Sequence, residues 1–249
     1  NIYSDTMYDG FGSVVRQYEP YRSTQGTYTE TTYDALGRPV SIASSSDGAT
    51  TRMGYILNQA YVRDPAGKWR RNTTDALGRL TEVKEDVLVN GSSVNPIPGY
   101  SNPSGTDLST TYTYNARDSL LTVTQGSQTR TFAYDSLGRL TSAANPENGT
   151  TTYTYRDNGN LYTKTDAGSV VVTSGWDELN RIKAKGYSGG VATPAVTYCY
   201  DGNTSGACTG APSGSPGNLT MVSNSNSVTR YTGYDLLRRV TGSSQKIGT

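Results

Sequence analysis

Short segments of the chain alternate threonine with aromatic residues. The clearest examples are TTYTY from Thr110, TRTFAY from Thr129, TTYTY from Thr151 and TRYTGY from Thr229. A period of two places successive side chains on opposite faces of a β-sheet, so Tyr153 and Tyr155 should share one face and Thr154 should take the other. Thr, Tyr and Phe also favour strands, and no segment shows a sustained helical period. The pattern predicts an all-β fold.

A second pattern joins these segments: an aromatic residue, Asp, two variable residues, Gly and Arg. Its clearest copies are YDALGRPV from Tyr33, TDALGRLT from Thr74, YDSLGRLT from Tyr134, WDELNRIK from Trp176 and YDLLRRVT from Tyr234. We assign to the repeat motif Tyr33, Asp34, Gly37, Arg38, Asp75, Gly78, Arg79, Tyr134, Asp135, Gly138, Arg139, Tyr155, Trp176, Asp177, Tyr234 and Asp235. The aromatic positions recur about every 20 residues, which is the length of one hairpin with its turns. The sequence predicts tandem β-hairpin repeats in one curved antiparallel sheet, with each repeat contacting its neighbours.

The Asp-to-Gly part of the motif has the chemistry of a tight turn. Asp34 can accept hydrogen bonds from the backbone N–H groups that follow it, and Gly37 occupies the position that needs positive φ. This combination is typical of a three-residue hairpin loop with a bulge. Asn180 replaces the Gly in one copy and also tolerates positive φ. Arg238 takes that place in the last copy and predicts a distorted turn there.

These residues resemble the YD-repeat or RHS-repeat family, which includes bacterial RHS and wall-associated proteins, the shell components of Tc toxins, and teneurins. The resemblance covers essentially the whole chain. It implies a β-strip that winds in a spiral into a hollow shell, often around a C-terminal toxin domain. The family's shell-closing region, with its autoproteolytic aspartates, has no convincing match in this sequence, so we assign no catalytic residues.

The repeat pattern runs through both ends of the sequence, so we expect residues 1–249 to be a single repeat domain and an internal fragment of a larger protein. Two stretches rich in Pro, Gly, Asn and Ser interrupt the pattern, and we predict insertion loops at residues 87–110 and 202–218. Loops of a repeat scaffold are favoured places for binding. A solvated connector is the simpler interpretation of each loop.

Charge and composition exclude several classes of function. The 22 Lys and Arg and 21 Asp and Glu are spread without long runs of one sign and give a formal net charge of +1. That distribution argues against a nucleic-acid-binding surface and against membrane-surface binding. No stretch approaches the roughly 20 apolar residues of a membrane span. The chain has no His, the commonest general base and metal ligand, so we expect no catalytic site, no cofactor and no metal.

Cys199 precedes the second predicted loop and Cys208 lies within it. In an oxidising compartment they could form a disulfide, which would stabilise the fold by about 2.5 to 3 kcal/mol on the chain-entropy estimate. Two free thiols are the alternative. A metal site would need more ligands than these two sulfurs.

The function that we predict is a non-catalytic structural segment of a large exported toxin or surface protein, secreted or at the cell surface. Its partners would be neighbouring repeats of the parent chain and an enclosed C-terminal domain, and unpaired sheet edges could make the fragment self-associate. A carbohydrate-binding or adhesion module, with glycans as partners of exposed tyrosines or of the two loops, is the alternative. A binding site is local, whereas the tyrosine rings recur periodically along the chain. We therefore favour a structural role, in which the rings form a ladder that holds adjacent strands together, over a sugar-binding face. A glycoside hydrolase would need two carboxylates about 5 to 10 Å apart, but the recurring Asp residues already have a turn role.

Overall fold

The computed structural model describes residues 2–85, 97–100, 108–213 and 216–248. The described residues form twenty strands and one short 3-10 helix, Gly206–Cys208, and contain no α-helix. The strands are β1 Thr6–Tyr8, β2 Val14–Tyr18, β3 Tyr28–Tyr33, β4 Pro39–Ser44, β5 Thr50–Ile56, β6 Gln59–Arg63, β7 Trp69–Thr74, β8 Leu80–Glu85, β9 Leu108–Tyr114, β10 Leu120–Gln125, β11 Gln128–Tyr134, β12 Leu140–Asn145, β13 Gly149–Tyr155, β14 Leu161–Thr165, β15 Val171–Trp176, β16 Ile182–Ser188, β17 Val196–Tyr200, β18 Leu219–Ser223, β19 Ser227–Tyr234 and β20 Val240–Ile247. They belong to one antiparallel sheet, which confirms the predicted all-β fold.

The chain divides into two compact units, Asn1–Thr129 and Arg130–Thr249. In the first unit each strand from β1 to β9 pairs with the strand that follows it in sequence. In the second unit the strands from β11 to β20 are connected in the same way. Pairing between sequence neighbours is what a series of tandem hairpins requires.

The first predicted insertion is shorter than the sequence indicates. Residues 86–96 and 101–107 lie outside the described residues, but Leu108–Tyr114 form β9. Leu108 pairs with Glu85 and Thr110 pairs with Val83, so the prediction of a loop through residue 110 is wrong. These residues join the strand because the backbone of β8 offers them a continuous hydrogen-bond ladder. The second insertion contains the 3-10 helix.

Every clear copy of the motif produces a register shift at its first residue. The shifts fall between Thr32 and Tyr33, Thr73 and Thr74, Ala133 and Tyr134, Gly175 and Trp176, and Gly233 and Tyr234. One extra residue on the returning strand after the turn is the signature of a bulged hairpin. The predicted hairpin type is therefore confirmed.

Few side chains of the described residues are fully buried. Tyr61, Trp69 and Ile97 form a small cluster in the first unit. Cys199 and Met221 belong to another in the second unit. Tyr61 is 5% exposed, whereas the other described tyrosines are half-buried or exposed. Contacts other than a thick hydrophobic core must therefore connect most of the repeats.

The faces of the strands alternate as the sequence predicts. Along β13 the half-buried positions include Tyr153 and Tyr155, and the exposed positions between them include Thr154. Within the described ranges, no helix has the length and apolar character needed to cross a membrane.

Candidate functional site

The turn of each motif is organised by its Asp side chain. Asp34 Oδ1 accepts hydrogen bonds from the backbone N–H groups of Leu36 and Arg38, both at 2.9 Å. The backbone N–H of Gly37 donates to the Asp34 carbonyl at 3.0 Å, and Gly37 has φ of +76°. The same pair of Oδ1 hydrogen bonds recurs at Asp75, Asp135, Asp177 and Asp235. The side chains of these aspartates therefore organise the turns, as the sequence predicts.

The Arg that ends each turn reaches back to the same Asp. Arg38 Nε donates to Asp34 Oδ2 at 2.8 Å, and equivalent contacts of 2.7 Å join Arg139 to Asp135 and Arg181 to Asp177. This guanidinium and the backbone N–H groups of the turn lower the pKa of Asp34 below its usual value. The charge of each motif is thus neutralised within its own turn.

In six repeats an aromatic residue at or near the end of a strand bonds to the backbone of the preceding repeat. The Tyr155 hydroxyl donates to the carbonyl of Leu140 at 2.8 Å. The equivalent hydrogen bonds join Tyr33 to Val14 at 2.8 Å, Tyr55 to Pro39 at 2.9 Å, Tyr114 to Leu80 at 2.8 Å, Trp176 Nε1 to Leu161 at 2.8 Å, and the Tyr234 hydroxyl to Leu219. In every case the acceptor is the carbonyl of the residue that follows the Arg position of the preceding motif.

The same Arg also covers the aromatic ring of the following repeat. The guanidinium carbon lies 4.2 Å from the ring centroid for Arg38 and Tyr55, 5.2 Å for Arg79 and Tyr114, 4.7 Å for Arg139 and Tyr155, and 4.4 Å for Arg181 and Tyr200. These distances are within the range of a cation–π contact. We call the combination of the ring, the carbonyl that it bonds and the covering Arg the inter-repeat lock.

Some Arg residues extend the lock to the next turn. Arg139 Nη1 donates to the carbonyl of Arg156 at 3.2 Å, and Arg79 Nη1 donates to the Asn115 carbonyl at 3.1 Å. A single guanidinium therefore holds its own turn, the next ring and the next turn. Arg is suited to this role because its planar group presents several N–H donors and also stacks on rings.

The ring ladder predicted from the sequence takes a different form. Among the described residues, ring-to-ring contacts join Tyr3 to Tyr21 and Tyr18 to Tyr28, with centroids 5.9 and 5.2 Å apart. The rings of the locks instead contact an Arg and a carbonyl. The sequence contained a signal for these hydrogen bonds between repeats. The ring and its acceptor residue are separated by the same 15 positions at Tyr155, Trp176 and Tyr234.

Two of the five clearest motif copies lack Gly at the positive-φ position. Asn180 has φ of +59°, as expected. Arg238 has φ of +60°, and its turn keeps the hydrogen bonds from Arg238 N to the Asp235 carbonyl and from Asp235 N to the Arg239 carbonyl, both 3.0 Å. The prediction of a distorted turn is wrong here, because the capping hydrogen bonds of Asp235 hold a residue other than Gly in the left-handed region.

Arg181 makes the most extensive ionic contacts of the motif arginines. Its Nη1 and Nη2 donate to the two carboxylate oxygens of Asp201 at 3.0 and 2.5 Å, while its Nε bonds Asp177. The hydrogen bonds from Arg181, with a further one from the Gly217 N–H, lower the pKa of Asp201 to about 2. The pKa of Arg181 is raised in return.

The second insertion is attached to the sheet by covalent and packing contacts. Cys199 in β17 and Cys208 in the 3-10 helix are joined by a disulfide. Cys208 and Ala211 pack with Met221 of β18. A cavity of about 510 Å³ lies beside this disulfide and is lined by residues that include Lys183, Tyr198, Tyr200, Asn203 and Ser205. In the described part of the chain, no group of three or more Cys, Asp or Glu side chains has the arrangement of a metal site.

Comparison with known proteins agrees with this geometry. Residues 95–194 match the family model described as Teneurin YD-shell. No curated protein sequence matches the chain. Crystal structures of TcdB2-TccC3-Cdc42 and of TcdB2-TccC3 share the fold, each with a TM-score of 0.72 over 97% of this chain, at 15% and 14% identity. The chain spans 13% of the length of those proteins.

The shared fold and the family match concern the repeats that carry the motif. Their defining residues are Tyr, Asp, Gly and Arg, and each has a place in the turn or in the lock. Over residues 95–194 the chain is similar to the YD-shell repeats of teneurins, and its fold is shared with the TcdB2-TccC3 structures.

Proposed function

We propose that the chain is a non-catalytic wall segment of a β-shell that belongs to a large exported toxin or surface protein and encloses a C-terminal cargo domain. The family match and the shared fold support a structural shell segment. Export, enclosure and the absence of catalysis are parts of the proposal.

The observation that carries the proposal is that the Asp and Arg side chains of the five clear motif copies bond to each other within their own turns. In the repeat of Asp135, the carboxylate is bonded by Leu137, by the Arg139 backbone and by the Arg139 side chain. Arg139 in turn covers the ring of Tyr155. A catalytic group needs a free polar atom directed at a substrate, whereas these groups are used to hold adjacent repeats together.

The locks also suit a wall with water on both sides. A sheet of this kind cannot bury a thick core, because each face is half-buried at most over most of its strands. Hydrogen bonds to backbone carbonyls and Arg–ring stacking connect the repeats without requiring a second layer. The same contacts can therefore be repeated over any length of sheet.

Protease protection of the full-length parent protein tests enclosure. We expect a C-terminal domain to resist an added protease while the wall is intact. Replacing Tyr155 and Trp176 together by Ala should expose that domain to cleavage, while Tyr162→Ala, at a tyrosine that is 40% exposed, should not. Cleavage of the wild-type domain at the same rate as the isolated domain would contradict the proposal.

A carbohydrate-binding module is the second candidate, and the cavity beside the disulfide favours it. Tyrosine rings with neighbouring amide, hydroxyl and ammonium groups suit a sugar, and Tyr198, Asn203 and Lys183 provide them at this cavity. A glycan array separates the two functions. If a glycan binds specifically and Asn203→Ala abolishes that binding, the carbohydrate-binding module is supported. If no glycan binds, the structural wall segment is the function that remains.

A further inference from the structure

Strands β16 and β17 are paired over a short stretch, and the cavity beside the disulfide lies where their pairing ends. The two strands pair at Ala184–Thr197 and Lys185–Val196, whereas β12 and β13 pair at four successive positions. Residues of both strands line the cavity. Its volume of about 510 Å³ is within the range of about 300 to 1,000 Å³ that is usual for ligand sites.

The inter-repeat lock at this place is half-formed. Arg181 covers the Tyr200 ring at 4.4 Å, as Arg139 covers the ring of Tyr155. The Tyr155 hydroxyl also bonds the carbonyl that follows its covering Arg, and the equivalent carbonyl for Tyr200 is that of Ile182. Among the described residues, however, the Tyr200 hydroxyl makes no hydrogen bond. Because Tyr200 lines the cavity, this hydroxyl is available to a ligand there.

The strongest hydrogen-bond acceptors at the cavity are already occupied. Arg181 bonds Asp177 through Nε and both carboxylate oxygens of Asp201 through Nη1 and Nη2. Asn203 Oδ1 accepts from the Ser205 backbone N–H at 3.0 Å and from the Ser205 hydroxyl at 2.9 Å. The oxygens best suited to bind the hydroxyl groups of a ligand are therefore used within the protein.

The polar groups that remain at the cavity are mainly donors. The exposed Lys183 side chain forms no ion pair within the described ranges. The side-chain nitrogen of Asn203 donates to none of the described residues either, because its two printed contacts both use Oδ1. An ammonium group has three donors and no acceptor, and an amide nitrogen has two donors. A ligand for this cavity therefore needs acceptors, and a negative charge opposite Lys183 gives the stronger, charge-assisted hydrogen bond.

The disulfide fixes one wall of the cavity. Cys199 and Cys208 both line it and are 1% and 9% exposed. Asn203 and Ser205 lie between the two cysteines in the sequence and also line the cavity, so they belong to a short loop that the bond closes. A loop that is held in place before a ligand arrives loses less conformational entropy on binding.

We propose that this cavity binds the carboxylate of an acidic sugar and that Lys183 selects for that charge. The proposal names the class of ligand for the carbohydrate-binding candidate of the preceding section and rests on it. The Lys183 ammonium bonds the carboxylate, and the Tyr200 hydroxyl and the Asn203 amide donate to other oxygens of the sugar. The rings of Tyr198 and Tyr200 supply apolar surface for the sugar ring.

Ligands in matched pairs test this proposal. Oligosaccharides that end in a uronic acid or a sialic acid are immobilised both as the free acid and as the methyl ester, which keeps the sugar and removes the charge. We expect the wild-type chain to bind at least one free acid about tenfold more tightly than its ester. Lys183→Gln should bind acid and ester alike. Lys185→Gln is the matched control, because it removes a charge from the same strand outside the cavity and should keep the preference.

The possible failures are distinguishable. Equal binding of acid and ester by the wild type would overturn this inference and leave the carbohydrate-binding candidate standing, because a sugar would still bind. If neither form of any pair binds, the inference is overturned, and the candidate function then depends on the neutral glycans of the array. A preference for the free acid that Lys183→Gln retains would also overturn it. Circular dichroism of both variants establishes that the sheet is intact.

Discussion

The hydroxyl of Tyr155 donates a 2.8 Å hydrogen bond to the carbonyl oxygen of Leu140, in the preceding repeat. The acceptor belongs to the backbone, so the contact depends on the position of Leu140 and not on its side chain. Trp176 makes the equivalent contact to Leu161 with its ring N–H. The position therefore requires a flat ring with a polar donor at its tip, and both Tyr and Trp meet that requirement.

We expect Tyr155→Phe to lower the free energy of unfolding by about 1 kcal/mol, since it keeps the ring and removes the donor to a half-buried carbonyl. Urea denaturation followed by tyrosine fluorescence measures this. Tyr162→Phe is the matched control, because the Tyr162 ring is 40% exposed and no hydrogen bond of its hydroxyl is found among the described residues. Equal effects of the two substitutions would show that the hydroxyl of the lock contributes nothing.

Replacing Arg139 by Lys tests the stacking contact. Lys keeps the charge but loses the planar group that bonds Asp135 and covers the Tyr155 ring. We expect a loss of about 1 kcal/mol, the size of a partly exposed cation–π contact. Arg239→Lys should cost less, because no ring covers Arg239 among the described residues and its side chain is mostly exposed. Equal shifts of the urea midpoint for the two substitutions would show that stacking of Arg139 on the Tyr155 ring does not stabilise the fold.

Gly138→Ala tests the backbone requirement of the turn. Gly138 has φ of +79°, and an added Cβ would meet nothing within 4 Å, so any cost is conformational and not steric. We expect a loss of about 1 to 2 kcal/mol, and a smaller loss for Gly138→Asn, since Asn180 already adopts φ of +59° at the equivalent position. Gly186→Ala, with equal space and no positive φ, should be neutral. Thermal unfolding of the three variants would reject this account if Gly138→Ala and Gly186→Ala behaved alike.

The Arg181–Asp201 pair should make stability depend on pH in acid. The pKa of Asp201 falls from 3.8 to about 2 in the folded chain because Arg181 and the Gly217 N–H bond its charged form. A depressed carboxylate pKa stabilises the fold above the unfolded value, and that contribution is lost as the pH falls from about 4 to about 2. Asp201→Asn should destabilise at neutral pH and converge on the wild type near pH 2. Parallel urea-midpoint profiles for the two proteins would contradict this, and Asp157→Asn, at an exposed turn, serves as the control.

The disulfide should contribute more to the free energy of unfolding than any single inter-repeat lock. Cys199 and Cys208 are 9 positions apart, and opening the link restores conformational entropy to the unfolded chain worth about 2.5 to 3 kcal/mol. We expect dithiothreitol to lower the urea midpoint of the wild type and to leave the double variant Cys199→Ala, Cys208→Ala unchanged. An identical midpoint with and without reductant would show that the link does not stabilise the fold.

The sequence was sufficient for the features that depend on neighbouring residues. The alternation in β13 and the Asp-to-Gly turns are local, because side-chain direction follows from the strand period and the turn type follows from the backbone preferences of Asp and Gly. Repetition strengthened each of these signals. The hairpin architecture and the bulge at Tyr134 could therefore be predicted from the sequence.

The sequence by itself thus determined the strands, the turns and the hairpin type, all of which follow from short-range backbone and side-chain preferences. Only the tertiary structure decided where each ring points, that Arg139 covers Tyr155, that Leu140 supplies a carbonyl, and that Leu108 continues a strand. Those contacts join residues from different repeats, and their partners are set by strand register and side-chain geometry, which exist only once the sheet has formed.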